Sequence, residues 1–176
     1  MTPVFQRISD QGRGDCFSAA LASILDLRYE DVPAFVTEAA DFGQLHRWHD
    51  ALVVWLRILG LRMHEVSWKE FRDWRGLEGA YALLSVPSQR FPKVRHCVVG
   101  TWVAEGSAHV LKIAHDPSPW NTPYPPDVEP SYVSFLVPLS PTIRVPLDLQ
   151  RASEAARAII NAPVNNTLPL TSAPTA

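Results

Sequence analysis

Apolar residues recur at helical spacing over the first sixty positions and mostly at strand spacing after about position 80. Phe17, Ala20, Leu21, Ile24 and Leu25 fall at i, i+3, i+4, i+7 and i+8, which predicts an amphipathic helix from Cys16 to about Leu27. Asp15 stands at its N-cap position. Pro33, in the turn Asp31–Phe35, is placed to start a short helix to about Ala40. Leu45, Trp48, Leu52, Trp55, Leu56 and Leu59 predict the longest helix, from Asp41 to Leu59, with Gly60 as its stop. Ahead of these, Thr2 to Ile8 reads as a short strand or an extended arm, and Pro3 confines it to an edge.

Arg62 to Val66 reads as a strand. Ser67 with Glu70 forms a capping-box pattern for a short helix carrying Trp68, Phe71 and Trp74, which Gly76 ends. Beyond Gly79 four further strands are expected, 80–86, 93–103, 108–115 and 131–138, with Glu105-Gly106-Ser107 as a tight turn. The stretch 116–130 is rich in proline and reads as a loop without regular structure. Leu149, Ala152, Ala156 and Ile159 predict a last helix from Asp148 to Ile160. Residues 161–176 are mostly Pro, Asn, Thr, Ser and Ala, the composition of a disordered tail. Helices followed by an antiparallel sheet make the expected fold α+β, in one domain over residues 1–160.

Composition changes this picture little. A chain of 176 residues, 47% hydrophobic and 19% charged, fits one globular domain. Its net charge of −2 offers no electrostatic basis for a nucleic-acid or membrane partner. Two cysteines are too few for a disulfide framework or a cysteine-rich zinc site. No basic start leads into an apolar signal core, and no run approaches the ~18 apolar residues of a membrane span. The expectation is a cytoplasmic protein. Six tryptophans imply a core of large side chains or an aromatic cleft; Trp48, Trp55, Trp68 and Trp74 sit at helical spacing and read as core.

The candidate chemistry centres on Cys16. In the first turn of a helix, unpaired N–H groups and the helix dipole favour a thiolate, while the charge of Asp15 opposes it. A small structural cysteine is the competing reading. Strand alternation sets Val94, His96, Val98 and Trp102 on one face and Arg95, Cys97, Val99 and Thr101 on the other, so Cys97 reads as core and a disulfide with Cys16 is not expected. A hairpin centred on Gly106 pairs His96 with Asp116, and a slip of one residue pairs it with His115. Gln11, five residues before Cys16, carries an amide that can donate to an oxyanion beside the Cys16 N–H. His46, His49 and Asp50 share one helical turn and could start a metal site; they lack the Glu of His-Glu-x-x-His and a third ligand, so interfacial or solvated side chains are expected there.

Gln-Gly-Arg-Gly-Asp-Cys at 11–16, His-Cys-Val-Val-Gly at 96–100 and His-Asp-Pro-Ser at 115–118 together resemble the papain-like cysteine peptidase superfamily. The likeness is strongest to its bacteriocin-processing branch, in which a Gln precedes an Asp-Cys and a later His is followed by Asp-Pro, and to short phage and bacterial proteins with Gly-Asp-Cys-Phe. It covers three short segments between Gln11 and Pro119. What it implies is a papain-like fold with Cys16 as nucleophile, His96 as base, Asp116 as its orienter and Gln11 as oxyanion donor. The implied substrate is a peptide or other amide-bearing compound, with no metal or organic cofactor. Phe17 stands where many members have Gly, and Gln11 is about one residue closer to the cysteine than the pattern expects. With Asp15 beside the thiol, Phe17 also fits the alternative expectation, a papain-like binding module without turnover.

Overall fold

The computed structural model describes residues 1–72, 74, 76–91, 93–106, 108–120, 123–125, 128–140 and 148–163. Three helices come first: α1 (Cys16–Leu25), α2 (Phe35–Asp41) and α3 (Trp48–Ile58). β1 (Leu61–Ser67) and the single-turn α4 (Trp68–Phe71) lead to β2 (Tyr81–Pro87), β3 (Arg95–Glu105), β4 (Ala108–His115) and β5 (Tyr132–Pro138). α5 (Leu149–Asn161) follows. The strands form one antiparallel sheet in the order β1-β5-β2-β3-β4, so the fold is α+β. No described helix is long and apolar enough to cross a membrane.

The two faces of the sheet carry different cores. Leu83 and Val99 join Leu21, Phe35, Leu52, Trp55 and Ile160 on the helix side. Leu84, Val86, Val98 and Trp102 pack with Phe71 and Phe135 on the other. The alternation expected of β3 therefore holds: His96 shares the face of Val98, and Cys97 packs against the helical core.

Some elements differ from the sequence pattern, each for a local reason. The expected helix 41–59 is divided, because α2 ends at Asp41 and Gly43 turns the chain at φ 65° before a 3-10 turn at Leu45–Arg47 leads into α3. α2 starts at Phe35, two residues after Pro33, whose carbonyl accepts from Ser18 Oγ at 2.7 Å. Residues 2–8 are an arm and not a strand; their polar groups go to side chains and to a loop instead of a ladder. Trp74 lies past the end of α4 and is 44% exposed, so it is not core. α5 includes Asn161, and Arg47 Nη1 donates to the carbonyl of Ala162 at 2.6 Å, which moves the expected tail boundary outward. The rest of that tail, 164–176, lies outside the described residues.

The β3–β4 hairpin pairs Glu105 with Ala108 and Gly100 with Ile113, then shifts across a bulge so that Val99 meets His115. This is not the expected register, and the described ladder ends there, short of His96. Gly100 is placed where the sheet leaves no room for a side chain. A Cβ on it would lie 2.4 Å from Leu84 Cδ1 and 2.9 Å from Leu84 Cγ, inside a side chain that is 1% exposed. Gly100→Ala should lower stability by about 1–3 kcal/mol through overpacking. Urea unfolding of the two forms measures this, and an unchanged midpoint would mean that Leu84 moves aside freely.

Candidate active site

α1 brings Cys16 to the site as its first residue. The first intrahelical bond runs from Ala19 N to the Asp15 carbonyl at 3.0 Å, so the N–H groups of Cys16, Phe17 and Ser18 lie ahead of the helical ladder. Asp15 occupies the N-cap position, yet its side chain does not cap the helix. Its carboxylate turns back to the arm, accepting from Arg7 N and Ile8 N at 3.1 Å each and from the Tyr29 hydroxyl. Burial of the Tyr29 ring, then that bond to Asp15, push the phenol well above its ordinary range.

His96 is the second residue of β3 and pairs with Val86 of β2. Asp116 follows β4 directly, and its Oδ1 lies 2.7 Å from His96 Nε2. The same oxygen accepts from Ser118 N at 2.8 Å, so the Asp-Pro-Ser turn holds the carboxylate in place. Both side chains are mostly out of water, at 12% and 13% exposure. The Cys16 side chain is near enough to His96 to raise its pKa, and both line the same cavity. With Nε2 engaged by Asp116, the ring nitrogen left for the thiol is Nδ1.

Burial on its own would lower the His96 pKa, but the bond to Asp116 and the nearby Cys16, with the negative charge those groups carry when ionised, raise it from 6.5 to about 9. Cys97 stands otherwise. It is half-buried, and its thiol is pushed up by burial first and then by the charges of Cys16 and Asp116. Of the two thiols, Cys16 is therefore the one with an imidazole partner.

Cys16, His96 and Asp116 line one cavity of about 470 Å³. Phe17, Trp48, Met63, Phe91, Trp120 and Tyr124 supply apolar lining. Phe17 packs in a T-shaped contact with the Trp48 ring, with centroids 5.6 Å apart, and lines the cavity beside Cys16. Trp48, expected in the core, lines this cavity as well. His46 and His49 are exposed, and no group of three or more His, Cys, Asp or Glu able to hold a metal ion occurs among the described residues.

Gln11 is not part of this lining. It is exposed on the turn before Gly12, which has φ 81°. Two glutamines line the cavity, Gln6 and Gln89, and of these Gln6 is buried, at 8% exposure, in the arm that runs beside the start of α1. Residues 9–14 loop out between a bond from Asp15 N to the Ile8 carbonyl at 3.3 Å and one from Arg13 N to the Asp10 carbonyl at 3.3 Å. The arm is thereby folded back beside the start of α1, so distance along the chain misidentifies the neighbour. Gln6 Nε2 makes one long bond, 3.4 Å, to the Ile8 carbonyl, and Oε1 is buried without a protein partner.

Compared with models of known protein families, with curated proteins and with solved structures, the chain matches none.

The raised pKa of His96 links folding to pH. A group raised on folding adds stability that is fully present below its unfolded pKa, here 6.5, and is lost as pH rises through its folded value of about 9. Urea unfolding across pH 6.5 to 9 should show the wild type losing stability relative to His96→Gln, in which this titration is absent. Parallel curves for the two forms would mean that His96 is not held as the cation.

Proposed function

We propose that the protein is a papain-like cysteine hydrolase of amide or related acyl bonds. One observation carries the reading: His96 is bonded to Asp116 at 2.7 Å and lines, together with Cys16, a cavity large enough for part of a peptide. The order Cys, His, Asp along the chain and the Asp-Pro-Ser turn agree with the family resemblance.

The chemistry follows from the pKa. An imidazole raised to about 9 is protonated at neutral pH; in this reading it is the cation that pairs with the attacking thiolate. The thiolate attacks the substrate carbonyl, forming a C–S bond and a tetrahedral oxyanion. The Cys16 N–H and the Gln6 amide are the donors for that charge, with Gln6 in the role first expected of Gln11. His96 gives its proton to the leaving amine as the C–N bond breaks. A water then loses a proton to His96 and attacks the thioester, which releases the acid and restores the thiolate–imidazolium pair. Asp116 holds the ring with Nδ1 toward sulfur throughout and balances its charge.

Two measurements test this. Iodoacetamide should modify Cys16 faster than Cys97 near neutral pH, read by mass-spectrometric mapping. Equal labelling, or preferential labelling of Cys97, would reject the nucleophile and leave a binding module as the reading. Asp116→Asn should slow turnover by about ten- to a thousandfold, and Asp116→Ala should slow it further, because the ring then has no orienter. The pH profile of Cys16 alkylation should shift in both variants. Profiles that superimpose on the wild type, with folding intact, would confine Asp116 to turn formation.

A further inference from the structure

We propose that Asp15 is a positioning residue: its buried carboxylate sets the N-terminal arm so that the Gln6 amide faces the reacting carbonyl. The inference rests on the hydrolase reading of Cys16 and goes beyond it, since Asp15 touches neither the thiol's imidazole partner nor the cavity.

The geometry is that of a backbone clamped on both sides of one residue. Gln6 N donates to the Pro117 carbonyl at 2.9 Å, directly after Asp116. The next peptide is fixed from the other direction, because Arg7 N donates to Asp15 Oδ2 and Ile8 N to Asp15 Oδ1, at 3.1 Å each. Since each peptide is planar, tying the two that flank Gln6 determines the direction of its Cβ. One tie ends beside Asp116 and the other beside Cys16, so the arm takes its place from both halves of the site. His115 adds to this grip through Nε2, 2.8 Å from the Val4 carbonyl.

Asp15 is suited to the task because it is removed from water. It is 1% exposed, and its oxygens meet three donors, two backbone N–H groups and the Tyr29 hydroxyl. A carboxylate offers acceptors on both oxygens, which two successive N–H donors require. An asparagine offers only one oxygen, and its NH₂ would face a donor. Asp15→Asn therefore releases one side of the clamp with almost no change in volume. The side chain's negative charge beside Cys16 disfavours a thiolate. Its buried bonds to the arm fit a task there better than one at the sulfur.

The test separates attack on a carbonyl, which needs oxyanion donors, from alkylation, which does not. Wild type, Asp15→Asn, Gln6→Ala and the double variant are compared for acylation of Cys16 by p-nitrophenyl acetate and for its alkylation by iodoacetamide. In acylation, the sulfur attacks the ester carbonyl and p-nitrophenolate leaves, which is followed by absorbance. Asp15→Asn and Gln6→Ala should each slow acylation roughly ten- to a hundredfold. The double variant should be no slower than Gln6→Ala, because Asp15 acts through Gln6. Alkylation should not slow in any of them. Losses that multiply, a wild-type acylation rate in Asp15→Asn, or alkylation falling in step would each overturn the proposal. If Asp15→Asn does not fold, Tyr29→Phe removes one donor and keeps the carboxylate. It should slow acylation in the wild-type background and have no effect in Gln6→Ala; any other pattern overturns the proposal. A wild type whose Cys16 is neither acylated nor alkylated faster than Cys97 rejects the hydrolase reading and this inference together. A reactive wild type with a silent Asp15→Asn rejects this inference alone.

Discussion

Six consecutive residues of α1, Ser18 to Ser23, are buried, so this helix is enclosed on every side and its N-terminus cannot move independently of the sheet. Such a helix needs small residues to let its neighbours approach. Ala19, Ala20 and Ala22 are all 0% exposed and permit that approach against β2 and β3. The two serines in the run must then find partners inside. Ser18 donates to the Pro33 carbonyl, and Ser23 donates to Ala19 and accepts from Val4 N. Each bond ties α1 to itself or to a segment that borders it. Cys16 inherits its position from this enclosure.

The second half of the site is held by charge where the first is held by packing. His96 and Asp116 are both mostly buried, and each would be costly alone in that setting. His96 is bonded to Asp116 at 2.7 Å, and Asp116 and Cys16 both raise the pKa of its ring. Removing one partner leaves a buried charge uncompensated, which is costlier than never having placed the pair there. The bulge at Val99 and Gly100 shifts the register just before the strand reaches His96. Asp116 thus meets the ring from beyond the end of β4, fixed by the Asp-Pro-Ser turn and not by a ladder. A carboxylate held this way is free of the strict alternation of a strand.

The number and type of the main elements were legible in the sequence because each buries one face and carries the matching period. Leu52, Trp55, Leu56 and Leu59 mark α3, and the alternation of β3 sorts His96 from Cys97. Cys16 at a helix start and Asp-Pro after a strand were legible too, since both are local features. Periodicity served less well where an element is buried all round. α1 reads as amphipathic on Phe17, Ala20, Leu21, Ile24 and Leu25; Ala20 and Leu21 are fully buried as expected, but so are Ser18, Ala19, Ala22 and Ser23 outside that stripe.

Only the tertiary structure decided which distant groups meet. The bulge that changes the β3–β4 register arises where Gly100 lets Leu84 press on the backbone, a contact between strands that no spacing in β3 reports. The exchange of Gln11 for Gln6 has a similar cause. The loop 9–14 closes on itself through backbone bonds, which spacing along the chain does not register, and the carboxylate of Asp15 then selects the arm. The sequence by itself determined the α+β order and the residue types on offer, because those depend on neighbours along the chain. Their assembly around one cavity depends on hydrogen bonds and packing between segments far apart in sequence, and those exist only once the chain has folded.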